Sequence, residues 1–314
     1  MSSVARSPHP HTAVFRHEAL LYAGSDEFVS RCSGFIRDGL NDGESILVAV
    51  ARSKIELLRE ALGDDAKLVR FADRAEIGGN PARIIPVWHE FATRHAAGGA
   101  RGIGEPISPA RGPDELAECQ RHEALINLAF DGGLPWRLAC PYDTAGLEQD
   151  VIDEALRSHP VVTDGDEARR SPTYTATAQP FQGTLPEPPT RAIDRRFDLS
   201  ELAGLRQFVI DAARQAGLRG PRLRDLVLSV NEVASNSVRH GGGSGLLRVW
   251  RERAALFCEV HDQGEVDHPL AGRVIPADGQ PYGRGLWIAN QLCDLVQIRS
   301  SAAGTVVRMQ MRLS

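Results

Sequence analysis

This 314-residue sequence predicts two domains: an N-terminal α/β domain with a mainly parallel sheet, and a C-terminal α+β sandwich of helices on a largely antiparallel sheet. Three observations carry that prediction. Strand-length apolar runs alternate with amphipathic helical stretches from Phe15 to about Val162. A break follows over Thr163–Arg191, where Pro172, Pro180, Pro186, Pro188 and Pro189 stand among small and charged residues. Beyond the break, helical stretches combine with short strands that lack the strand–helix–strand alternation of the first half. The expected divisions are a disordered tail over 1–12, a first domain over 13–162, a connector over 163–190 and a second domain over 191–314.

In the first domain, Ser45–Ala51 (SILVAVA) is a nearly continuous apolar run, as a parallel strand covered on both faces requires. The other expected strands are Ala19–Tyr22, Leu68–Phe71, Arg101–Ile103 and Arg137–Cys140. Between them lie the helical stretches Asp26–Gly39, Lys54–Leu62, Pro81–His95, Asp114–Phe130 and Gly146–Ser158. Neither Lys54, after Ser53, nor Lys67, after Ala66, follows a glycine, so the region holds no nucleotide P-loop.

The second domain opens with an expected edge strand, Arg191–Phe197, and an amphipathic helix, Leu199–Ala216. Leu223–Gly245 follows, with Leu223, Leu226, Val227, Val230, Val233 and Ala234 at helical spacing. Glu232 and Asn236 are four residues apart and share one side of that helix, with Ser229 a turn earlier. The run Gly241–Gly245 is expected to end it with flexible backbone. Taken alone, this window also reads as an amphipathic helix with a polar edge and a glycine stop. Four strands complete the domain: Leu246–Trp250, Ala255–Val260, Leu295–Ile298 and Thr305–Met311.

Bulk properties bound the function. The chain is 42% hydrophobic and 25% charged with a net charge of -5, which leaves no general electrostatic footprint for nucleic acid. No apolar run is long enough to span a bilayer, and the first residues lack a signal-peptide core, so a cytoplasmic protein without membrane contact is expected. The five cysteines (Cys32, Cys119, Cys140, Cys258, Cys293) are dispersed with no metal-like pairing, which fits a reducing compartment.

A helix bearing Glu232 and Asn236, a strand running into Asp262-Gln263-Gly264, then Gly283-Arg284-Gly285 opening the helical run Leu286–Leu295: this order resembles the histidine-kinase-like ATPase (Bergerat) domain. Histidine kinases, gyrase, gyrase-like chaperones and anti-sigma-factor kinases share that domain. The resemblance covers about the last 120 residues and implies ATP and Mg²⁺ as cofactors. Mg²⁺ takes oxygen ligands, and the Asn236 side-chain carbonyl fits that role. Glu232 is placed to orient or deprotonate an attacking hydroxyl, the catalytic role the resemblance also implies. Asp262 would accept from the adenine amino group, and Gly264 would let the base approach the backbone. Asp-x-Gly also closes ordinary hairpins. Gly283 and Gly285 allow a loop whose amides face phosphate, Arg284 would add charge there, and Thr305 is a further phosphate contact. One departure stands out: Val266 occupies the place where the family often has a second glycine, and the lid region His268–Tyr282 is long and contains proline.

The first domain resembles the MEDS sensory domain through His17-Glu18-Ala19-Leu20-Leu21-Tyr22, Asn80-Pro81-Ala82-Arg83, Gly104-Glu105-Pro106, Arg121–Asn127, Cys140-Pro141-Tyr142-Asp143 and His159-Pro160. That implies a sensing module whose small-molecule ligand the family does not fix. Cys140, Tyr142 and Asp143 sit where a strand ends, and ligands of open α/β sheets bind beyond such ends, so they are expected to line a pocket with Glu105 and Glu123. His17, also counted with that pocket, reads as a polar group supporting the fold rather than as a metal ligand, because no carboxylate or cysteine stands at ligand spacing from it.

Among outputs, an autophosphorylating histidine kinase would need a phosphoacceptor His on a dimerisation helix before residue 199, and the segment there is proline-rich. The compact arrangement, with Arg239-His240-Gly241 after the Glu232/Asn236 box, resembles the anti-sigma-factor serine/threonine kinase. That family implies a sigma factor and a STAS-type antagonist as partners, phosphorylation of the antagonist, and commonly a homodimer. The alternatives are a non-catalytic ATP-dependent binding module and an atypical sensor histidine kinase.

Overall fold

A computed structural model describes residues 14–77, 79–109, 111–165, 167–176, 181–276 and 283–313. The expected tail over 1–12 and the end of the lid region, 277–282, lie outside these. The chain divides into two compact units. The first comprises Met1–Gly78 and Val87–Thr177, the second Gly79–Pro86 and Ala178–Ser314.

The first unit is built on strands β1 (Arg16–Tyr22), β2 (Ser45–Val50), β3 (Val69–Asp73), β4 (Ala100–Gly104), β5 (Arg137–Asp143), β6 (Val161–Asp164) and β7 (Glu167–Arg170). Its helices are α1 (Gly24–Asn41), α2 (Arg52–Leu62), the single turn α3 (Arg74–Ile77), α4 (Ile84–Arg94, which starts in the second unit), α5 (Pro113–Ala129) and α6 (Gln149–Ser158). The sheet order is β3-β2-β4-β5-β1-β6-β7, parallel throughout except for the β6–β7 pair. Residues Ile46–Val50 of β2 are buried without a break, because helices cover both faces of a parallel sheet. Phe28, Cys32 and Ile36 of α1 and Leu58 of α2 pack on Leu20, Val48, Val50 and Ile103.

Two strands exceed the sequence expectation of five. β6 and β7 fall within or beside the stretch read as connector. All four β7 residues are exposed, so it carries no apolar alternation for a sequence pattern to register.

The second unit adds β8 (Ile193–Asp198), α7 (Leu202–Gln215), α8 (Gly220–His240), β9 (Ser244–Glu252), β10 (Ala255–Asp262), α9 (Arg284–Leu292), β11 (Leu295–Ser301) and β12 (Gly304–Arg312). Its sheet, β11-β12-β10-β9-β8, is antiparallel throughout. Leu205 and Val209 of α7, Leu226, Val230, Val233 and Ala234 of α8, and Ala289 of α9 are buried against Leu247, Val249, Cys258, Val260, Val307 and Met309 of the strands. This is the helix-on-sheet sandwich the apolar spacing predicts.

The glycine run after α8 differs from expectation. Gly241 caps the helix and Gly242 and Gly243 take positive φ, but Gly245 already belongs to β9. A Cβ at Gly245 would lie 2.4 Å from the Phe197 ring, so its role is close packing rather than flexibility.

Candidate functional site

In the second unit, four separated segments meet. Asn236 is half-buried on α8, and a Cβ built on Gly285 of α9 would lie 2.5 Å from its Nδ2. Ser237, the next residue on α8, donates from Oγ to Asp262 Oδ2 at 2.6 Å. The other Asp262 oxygen accepts from the Gly264 amide at 2.8 Å. Thr305, which pairs with Asp262 across β10–β12, donates from Oγ1 to the Gly264 carbonyl at 2.8 Å. The carboxylate is therefore clamped by α8 and by its own turn, and the turn is clamped by β12.

Gly283 precedes α9 with φ +89, a left-handed conformation that suits glycine, and α9 has no side chain capping its amino end. Its first-turn N–H groups therefore lack an intrahelical acceptor, the arrangement that receives an anion. Gly285 is buried against Asn236, whereas Gly283 and Arg284 are exposed. Uncapped amides next to a carboxamide, with a glycine where any side chain would intrude, fit a phosphate-bound cation. Glu232 is half-buried one turn before Asn236 on α8.

Two polar residues of the α8 box have structural positions. Ser229 is fully buried and its Oγ donates to the Asp225 carbonyl. Asn231 Oδ1 accepts from Arg206 Nη1 at 2.9 Å. Val266, the departure from the glycine pattern, has its amide bound to Ser300 Oγ at 2.8 Å, and Ser300 Oγ in turn meets Thr305 Oγ1 at 2.7 Å. The segment after Gly264 is thus tied to the sheet.

In the first unit, the six residues expected to line one pocket separate into two groups. Glu105 pairs with Lys54 just past the carboxyl end of β4; Lys54 Nζ also donates to Tyr22 Oη at 2.6 Å. Asp143, at the carboxyl end of β5, accepts from the Gly24 and Ala145 amides. The other four lie together below those strand ends. His17 Nε2 is 3.3 Å from Cys140 Sγ and 3.5 Å from Glu123 Oε2. Tyr142 donates to Glu123 Oε2 at 3.4 Å. His159, quoted in the sequence only for resemblance, joins this group with Nε2 3.0 Å from Glu123 Oε2. No sequence spacing joins these residues to His17; β1, α5, β5 and the end of α6 bring them to it.

Burial sets the protonation of this group. Burial, then the neighbouring His159, lowers His17 to about 4, so its ring is neutral at neutral pH. Burial alone would raise the Glu123 carboxyl, but hydrogen bonding and charge from His159 and His17 hold it well below the usual carboxylate range. Burial, then the Glu123 carboxylate, pushes the Cys140 thiol and the Tyr142 phenol well above their ordinary values. A protonated, 1% exposed thiol does not suit a nucleophile.

Two family profiles match the chain. Residues 16–160 match the profile of the MEDS domain (MEthanogen/methylotroph, DcmR Sensory domain), and residues 196–311 match that of the histidine kinase-like ATPase domain. No curated protein matches the chain. Similar solved structures include the RsbU and RsbW domains of Rv1364c from Mycobacterium tuberculosis, 20% identical over 40% of this chain and 33% of that one, with a TM-score of 0.31. Another is an ATPase domain 9% identical over 48% of this chain and 69% of that one, with a TM-score of 0.33. The chain thus spans about a third of the length of the first of these. Among the described residues, no helix is long and apolar enough to cross a membrane.

Proposed function

Because this chain joins a MEDS domain to a histidine kinase-like ATPase domain, a nucleotide-binding fold, we propose that it is a signal-responsive anti-sigma regulatory factor. In this reading the second unit binds Mg-ATP and phosphorylates a serine or threonine of a STAS-type antagonist, sequesters a sigma factor, or does both. The first unit sets the balance, and a homodimer is the working assembly.

The observation that carries the reading is the convergence of the four segments through Asn236–Gly285, Ser237–Asp262 and Gly264–Thr305. Asn236 would hold the Mg²⁺, which when bound neutralises phosphate charge. Asp262 is preset by Ser237 and the Gly264 amide to accept from the adenine amino group. The amides after Gly283, with Arg284, would face the phosphates, whereas Thr305, expected there, is engaged by the Gly264 carbonyl and Ser300 and would support the adenine turn instead. Glu232 would take the proton from the attacking hydroxyl. A small molecule would enter at the strand ends around Lys54, Glu105, Tyr22 and Asp143, where open α/β sheets bind ligands.

Titration calorimetry of the full chain with ATP and ADP, with and without Mg²⁺, tests this reading. Asn236→Ala is expected to weaken Mg-dependent affinity by at least ~1 kcal/mol, the scale of a lost polar contact. Gly285→Ala pushes a methyl into the Asn236 amide, whose free end can swing away, so the fold survives; affinity should fall about tenfold, ~1.4 kcal/mol. Absence of heat with any adenine nucleotide would sink the proposal.

A second reading, nucleotide binding without transfer, is favoured by the tie from Val266 to Ser300, which restrains the segment leading into the lid region. Labelled ATP and a candidate antagonist separate the two. Transfer that Glu232→Gln abolishes while binding persists supports the kinase; binding without transfer in wild type supports the module.

A further inference from the structure

We propose that His17, Glu123, Cys140 and His159 form a closed zinc site inside the MEDS domain. Their four ligand atoms all lie within 4.8 Å of one another, and all four residues are at most 1% exposed. Tetrahedral zinc with bonds of about 2.0–2.3 Å sets its ligands roughly 3.3–3.8 Å apart, within the range the pairs here already span.

Outer hydrogen bonds orient both imidazole rings. Asn127 Nδ2 donates to the Ser158 carbonyl, which orients the amide and leaves Asn127 Oδ1 as the acceptor facing His17 Nδ1 at 3.1 Å. His17 therefore carries its proton on Nδ1 and presents a bare lone pair from Nε2. His159 Nδ1 donates to the Ala155 carbonyl at 2.8 Å, which turns its Nε2 toward the same spot. Each imidazole has the outer hydrogen bond that fixes a metal-ligating tautomer. Both Nε2 atoms are turned toward the Glu123 carboxylate, 3.5 and 3.0 Å away, and His17 Nε2 also faces Cys140 Sγ at 3.3 Å. Two ring nitrogens, a sulfur and a carboxylate oxygen thus converge in a dry interior, the donor arrangement a bound cation would satisfy.

The donor set chooses the cation. Two imidazoles, one thiol and one carboxylate are a zinc set, whereas calcium and magnesium prefer oxygen alone. Binding releases the Cys140 thiol proton to solvent, and the thiolate, the Glu123 carboxylate and Zn²⁺ then sum to zero charge, as a water-free site requires. Four protein ligands and no solvent access make the site structural: it ties β1, α5, β5 and the end of α6 together.

Metal analysis of the full chain, purified without a metal-affinity step, tests this. About one zinc per chain is expected, as folding around a buried site retains its ion. Cobalt titrated into chelator-stripped protein should produce visible d–d bands of tetrahedral intensity and a near-ultraviolet thiolate-to-cobalt band, the latter lost in Cys140→Ser. Zinc should raise the unfolding temperature of stripped wild type but not of His159→Gln. If either variant fails to fold, wild-type metal content and the cobalt spectrum decide alone. No stoichiometric zinc together with no cobalt spectrum would overturn the site.

Discussion

Gly304→Ala is expected to destabilise the second unit by about 3 kcal/mol or more, because backbone strain and an irreconcilable contact add. Gly304 has φ +122, and a Cβ there would lie 2.2 Å from the backbone carbonyl oxygen of Asp262. Neither group can swing aside, since both sit at the β10–β12 junction where Asp262 pairs with Thr305. The same substitution at Gly243, with φ +85 and open space around it, should cost only about 1 kcal/mol. Urea denaturation of the full chain, followed by hydrogen exchange over residues 244–312, distinguishes the two. Equal losses would show that strain alone sets the cost. Because Gly304 also backs the Asp262 turn, its variant should lose nucleotide affinity before it loses structure.

Arg308→Ala is the second large effect, about 3–5 kcal/mol, the scale for leaving a buried charge alone. Glu259 is 1% exposed on β10 and accepts from Arg308 Nε on β12 at 2.6 Å and faces His261 Nε2 at 2.6 Å. Removing the guanidinium takes away the partner of Glu259 Oε2, leaving only His261 and, at 3.9 Å, Arg248 on the other oxygen, and also frees the Pro186 carbonyl that Arg308 holds. The paired change Glu259→Leu with Arg308→Met should recover most of the loss, because the buried charge is gone. The pH dependence has a definite sign. Burial alone would raise the Glu259 carboxyl, but His261 and Arg308 bring it below its ordinary 4.5. A carboxyl depressed on folding contributes stability above its unfolded value and loses it as pH falls through the folded one. The gap between wild type and Arg308→Ala is therefore expected to narrow below about pH 4.5; a gap unchanged by acid would assign the loss to packing instead.

These residues also mark how far the sequence could be read. The elements around the candidate site were legible from local signals: the apolar stripe of α8, the short apolar strand running into Asp262, and the glycines at the start of α9. The exposed β7 has no such signal, since an edge strand need bury nothing. Ser229 shares a helical stripe with Glu232, yet only packing shows that it faces the core. Gly245 looked like part of a flexible stop, and only the Phe197 ring above it reveals a packing role. Of the His17 group, the sequence named His17, Glu123, Cys140 and Tyr142 for a common pocket but not His159. Its members come from four elements spread over most of the first domain, and no spacing rule joins residues brought together by a parallel sheet's crossovers.

The strand order has a consequence for synthesis. In the second unit every pairing but one joins neighbours in sequence, so hairpins can close as they leave the ribosome. In the first unit, β1 pairs only with β5 and β6, and 119 residues separate Glu18 from Arg137. At translation rates of about 5–20 residues per second, this central strand waits on the order of 10 s for its partner. A nascent chain stalled inside α5 would expose an apolar ribbon with both edges open, a natural target for holding chaperones.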